Sequence, residues 1–183
     1  MTVIDLVSFL WGFAEATFFF IVPDVWLTVL AVKSGGKKLL SAVGFSVLGA
    51  LVGGILIYWI TGSFQSRIFS FFDHIPGIQM KLIEEAQQIM AKHGLIALPI
   101  GVFQGIPYKI FAAEWHLQGG SLAFFVLMSI VARGGRFLFV VGITRWICAV
   151  CEARVQNWKE ARMILLAGFW IIFYLFYFFH KGW

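Results

Sequence analysis

Six ionisable residues lie inside long apolar stretches: Glu15, Asp24, Lys109, Glu114, Arg133 and Arg136. A charged side chain at the centre of a bilayer costs about 2.5–3.5 kcal/mol even on the mildest insertion scales, so such residues are kept with partners and usually with a task. The two acids Glu15 and Asp24 fall in the first stretch, and the three cations fall in the later half of the chain. Pairing across the centre is therefore expected. Arg133 and Arg136 are three residues apart and project from one helical face. The six residues are expected either to line a functional polar cavity or to form a purely structural ion-pair network.

No other chemistry is signalled. The sequence lacks G-x-S-x-G, H-E-x-x-H and paired metal-binding aspartates, so no enzyme, metal centre or cofactor is expected. Cys148 and Cys151 form a lone C-x-x-C without a second ligand pair and read as ordinary thiols. His116 and His180 read as interfacial residues.

The elements that hold these residues follow from composition. Of 183 residues, 61% are apolar and 13% charged, against about 25% charged in soluble domains; mean hydropathy is +0.90. So little charge cannot cover a water-facing surface. A soluble domain, a disordered chain and a disulfide-rich miniprotein are excluded, and a single all-α polytopic membrane domain over residues 1–183 is expected. The net charge of +5 is scattered, which argues against nucleic acid. No cation precedes Lys33, so a cleaved signal peptide is not expected.

A helix needs about 20 residues to cross about 30 Å of hydrocarbon. Charge-poor stretches predict three spanning helices over 39–63, 118–146 and 162–180. Two further stretches are too short to cross twice. The first, 1–32, is interrupted at Pro23 beside Asp24, a residue suited to N-cap the helix that follows. The second, 94–117, is interrupted at Pro107. Each predicts a re-entrant helical hairpin that breaks at mid-depth, as in many secondary transporters. Between them, 78–93 predicts an amphipathic helix on the surface, with Met80, Ile83, Ala86 or Gln87, and Met90 on its apolar face. Loop lysines and arginines put 33–38 and 145–162 in the cytoplasm, so the two hairpins enter from opposite sides. Gly49-x₃-Gly53, with Gly44 and Gly54, predicts close helix packing within the fold. Trp146, Trp170, Tyr174, Tyr177 and Trp183 read as interfacial aromatic belts.

In order and spacing these features resemble the DedA/VTT (SNARE-associated) membrane protein superfamily. Glu15, eight residues and Asp24, with Pro23 before the second acid, resemble its first hairpin. Leu48-Gly49-Ala50-Leu51-Val52-Gly53-Gly54 followed by Tyr58 and Gly62 resembles its glycine-rich helix. Glu84-Glu85-Ala86 with Lys92-His93-Gly94, then Gly105-Ile106-Pro107-Tyr108-Lys109, resemble the approach to its second hairpin and the hairpin itself. Ala132-Arg133-Gly134-Gly135-Arg136-Phe137 resembles its G-R-x-x-R-F stretch. The family's R-F-x-P-x-x-R element is only partly present, since Val102-Phe103-Gln104-Gly105 lacks its first arginine; Glu114 stands where a glycine is usual.

The resemblance covers about residues 10–147. It implies a lipid translocase that moves phospholipid or polyprenyl phosphate between leaflets, in some members coupled to protons: Lys109, Arg133 and Arg136, with Glu114 beside Lys109, would hold the anionic head, arginine offering bidentate contacts to phosphate, and Glu15 and Asp24 would serve proton or ion coupling. It also implies a bacterial cytoplasmic (inner) membrane location; a homo-oligomer is compatible with it. The competing expectation is a non-transporting membrane scaffold or assembly factor.

Overall fold

The computed structural model describes residues 1–154 and 157–181; Trp183 lies outside them. All regular structure among the described residues is helical. Helix α1 (Val3–Thr17) opens with a capping box in which Thr2 and Asp5 satisfy each other's amides,. The Asp5 carboxylate also accepts from the Ser41 hydroxyl at 2.7 Å, which sets the start of α1 beside the start of α3 (Lys37–Ser63). The two then run in the same direction. Gly12 abuts the Ser46 carbonyl, Gly49 the Phe9 carbonyl, and Gly53 the Ala16 side chain. A Cβ at position 12 or 49 would be driven into the facing backbone, so both must be glycine for this approach.

The chain breaks over residues 18–23 and re-forms as α2 (Asp24–Lys33). Pro23 takes the N-cap position, and no side chain caps the helix. The capping role expected of Asp24 is therefore not played: it is the first helical residue, and its carboxylate points away to Arg136. Helix α2 folds back on α1, held by Trp26 donating to the Ser8 hydroxyl at 2.9 Å and Trp11 to the Ile21 carbonyl at 3.0 Å. Its end, Lys33, lines one cavity with Arg145 and Arg162. We call this side the lysine end.

Helix α4 (Gln65–Asp73), which sequence periodicity did not suggest, follows α3 and buries Ile68 and Phe72. Helix α5 (Met80–His93) is the expected amphipathic helix, with two differences. Its buried face is Leu82, Ile83, Ala86 and Met90, while Met80 is exposed. That face is covered by protein, chiefly α6 (Ala97–Phe103) and α7 (Tyr108–Leu117), instead of being left to lipid. Gly105, at φ +81°, and Pro107 make the turn between α6 and α7. Tyr108 lies against Gly54 and His116 against Gly62. Helix α7 thus takes over the flank of α3 where α1 leaves it, and runs on to the opposite end.

Next come α8 (Leu122–Ser129), one π turn (Ile130–Gly134) and α9 (Gly135–Glu152), a continuous helix from Leu122 to Glu152. The last helix is α10 (Trp158–Lys181). Three helices are long and apolar enough to cross a membrane: Lys37–Ser63, Leu122–Glu152 and Glu160–His180. The second starts four residues after the expected 118 and runs six residues past the expected limit of 146.

Buried apolar side chains form two clusters, one around α4–α8 and one where α2, α3 and α9 meet. Helix α10 contributes to neither. It docks through polar tips on one stripe: Trp170 donates to Thr28 at 2.9 Å, Tyr174 accepts from the Val22 amide at 3.0 Å, and Tyr177 donates to the Gly77 carbonyl at 3.0 Å. Trp170, Tyr174 and Tyr177 are therefore rungs between helices and not the belt expected of them. Trp146 remains exposed, as a belt residue would be.

Candidate functional site

The breaks of the two helix pairs meet beside the middle of α3. Lys109, one residue into α7, donates from Nζ to the Phe19 carbonyl in the α1–α2 break at 2.7 Å. Phe19 lies past the end of α1, so its carbonyl has no helical donor of its own. Around this junction is a small cavity of about 80 Å³. Glu15, Lys109, Arg133 and Arg136 line it, with Tyr108 and, from α10, Tyr174 and Tyr177.

The acids are matched one to one. The Arg133 guanidinium pairs with the Glu15 carboxylate. Arg136 pairs with Asp24 at 3.1 Å and also donates to the Val102 carbonyl at 2.8 Å. Val102 is in the last turn of α6, where carbonyls lack helical partners and favour a cation. Arg136 thereby ties α2 to α6. Arg133 is sandwiched between the two apolar clusters, its guanidinium carbon 4.9 Å from the Tyr108 ring centre and 5.1 Å from that of Phe137. Aromatic faces add cation–π attraction to a buried guanidinium. The Tyr108 hydroxyl is itself satisfied by Ser129 at 2.9 Å.

Burial makes the pairing matter. Arg133, Lys109 and Asp24 are each 1% exposed and Glu15 4%. Removing one member of such a pair typically costs about 3–5 kcal/mol, because it strands a charge. Two carboxylates face three cations here. The cation left over is Lys109, whose only hydrogen-bond partner among the described residues is the neutral Phe19 carbonyl. Lys109 is thus the basic residue of the junction without a carboxylate partner among the described residues.

Four of the six ionisable residues singled out in the sequence thus line one cavity, and Asp24 joins them through Arg136. Glu114 does not line the cavity: it is farther along α7, and its carboxylate accepts from Gln87 of α5 at 2.6 Å. Pro23 and Pro107 stand at the N-caps of α2 and α7, one at each break.

Several contributors escaped the sequence reading. The Phe19 and Val102 carbonyls are backbone atoms and carry no residue signal. Tyr174 and Tyr177 had one: two phenols three residues apart in an apolar run share a face. The π turn under Arg133 also had a weak signal, since Gly134-Gly135 loosens a helix there.

No protein-family model and no solved structure matches the chain. An uncharacterized protein of Haemophilus influenzae is 27% identical over 140 residues, covering 74% of this chain and 69% of that protein.

Proposed function

We propose that the protein is a DedA/VTT-like lipid translocase of the bacterial cytoplasmic membrane, in which α1–α2 and α6–α7 are opposed re-entrant hairpins. The observation that carries this reading is the uncompensated Lys109 at the meeting point of the two breaks, beside two arginines. An amphiphile with an anionic head needs a cationic station at mid-depth, and broken backbone is tolerated at that depth only where protein or a cavity covers it. Arg133 and Arg136 release their carboxylates to the phosphate as it arrives, and protonation of Glu15 or Asp24 favours that release. This is the route by which proton coupling enters. Phospholipid and polyprenyl phosphate both have the required head.

A second reading, a non-transporting scaffold or assembly factor, is favoured by one observation. The cavity of about 80 Å³ has room for two or three waters at about 30 Å³ each and not for a lipid head. On that reading the charges only fasten helices together. Leaflet exchange of a fluorescent anionic lipid in proteoliposomes separates the two. The translocase reading expects exchange by the wild type and its loss in Lys109→Gln, with folding retained because Lys109 satisfies only a carbonyl. Wild-type protein that inserts yet exchanges no lipid sinks it.

A further inference from the structure

A groove of about 430 Å³ runs between α2, α9 and α10; it shares Arg136 with the junction cavity, but Lys109 does not line it. Its inner end is the Asp24–Arg136 pair, and its outer end is Cys148, Trp158 and Arg162 at the lysine end. Along α9 that is the path from Arg136 to Cys148, about 18 Å at 1.5 Å per residue. Half of a bilayer core is about 15 Å. The groove therefore has the depth of one leaflet, and its walls (Val140, Ile143, Leu165 among them) are apolar.

Its outer end opens on a second cavity of about 270 Å³, with Arg162 and Cys148 common to both. Here Lys33, Arg145 and Arg162 face a single carboxylate, Glu152. The groove carries a third signal. The Trp158 indole nitrogen is buried and has no hydrogen-bond partner among the described residues. A buried indole N–H without an acceptor is rare and points to a missing partner.

We propose that this groove binds an anionic phospholipid of the lysine-end leaflet. One acyl chain lies along α9, the phosphate rests on Lys33, Arg145 and Arg162, and an ester carbonyl accepts from Trp158. The proposal needs the chain to cross a membrane, but not to transport lipid. A chain in the groove would cover the lateral side of the Asp24–Arg136 pair and keep it dry.

Cys148 provides the readout. In full-length protein carrying Cys151→Ser, the rate of maleimide labelling is followed in mild detergent while phosphatidylglycerol, or phosphatidylcholine with the same chains, is added. Native mass spectrometry counts bound lipid in parallel. Phosphatidylglycerol should protect Cys148 at lower concentration than phosphatidylcholine. Arg145→Gln with Arg162→Gln should weaken it about 25-fold, at about fivefold per basic residue. Arg145→Lys with Arg162→Lys should bind nearly as the parent does, which separates lost charge from lost folding. Leu165→Trp, filling the groove, should weaken both lipids.

Equal binding of the two lipids, or undiminished phosphatidylglycerol binding after both arginines are neutralised, overturns the proposal. So does inorganic phosphate that protects Cys148 as well as the lipid does while Leu165→Trp has no effect, for the ligand is then a soluble anion. Selective lipid binding by a protein that exchanges no lipid removes the transport reading and leaves this one standing.

Discussion

The pairing of Glu15 with Arg133 decides more than any other contact, because both partners are buried and the guanidinium has aromatic rings on two sides. Either single change, Glu15→Gln or Arg133→Gln, should destabilise the protein by about 3–5 kcal/mol. The double change should recover most of that loss, since it strands no charge. Unfolding in mixed micelles, run as a double-mutant cycle, measures the difference. Losses that simply add would show that the two side chains do not interact. If the arginines also bind a lipid phosphate, Arg133→Gln should weaken anionic-lipid binding further in a Glu15→Gln background. The membership of this cluster was legible in the sequence because an ionisable residue in an apolar run is conspicuous whatever its surroundings. The pairings were not. Glu114 gives the same sequence signal as Glu15, yet it meets Gln87, because α5 folds back over α7. Nothing local to residue 114 reports that.

At the scale of elements, the α1–α3 contact sets the depth at which α1 ends and so where Glu15 sits. It depends on two glycines that admit the facing backbone, Gly12 against Ser46 and Gly49 against Phe9. Gly49→Val should push the helices apart and destabilise by about 1–3 kcal/mol, the usual range for overpacking. Gly44 has open space around it, and Gly44→Ala should be tolerated. Thermal unfolding of the two variants in detergent distinguishes a packing role from mere glycine-rich composition, which would treat them alike. The long apolar helices and the proline breaks were readable because length and proline act locally. Three features were not. Helix α4 hides between charged residues in a short run. The π turn has no period of its own. The inward stripe of Trp170, Tyr174 and Tyr177 looks the same as an interfacial belt until partners are known.

The whole molecule is marked at one end by its charge, where Lys33, Arg145 and Arg162 share a cavity. Away from that end, the turn before α5 packs on α10 beside the junction cavity, with Gly77 against Tyr177 and Phe178. Helix α3 starts at the lysine end, next to Asp5 and the return of α2, and its last turns accompany α7 away from it. The expected topology, with one span between the two hairpins, puts Lys37 and Gln79 on opposite sides of the membrane,. By the positive-inside rule the cationic end should face the cytoplasm. Cysteines introduced singly at 37 and 79, with Cys148 and Cys151 replaced by serine, should label from opposite sides of the membrane: Lys37→Cys only after a permeant reagent enters intact cells, Gln79→Cys with an impermeant one. The same pair tests the hairpins. Helices α1 and α2 begin and end at the lysine end, so Thr2→Cys and Ser34→Cys should both follow Lys37→Cys. Labelling of position 2 from the side of position 79 would mean that α1 crosses the membrane outright. The proposed translocase would then lose its mid-depth station at Lys109, and with it the reason for an anionic head to travel there.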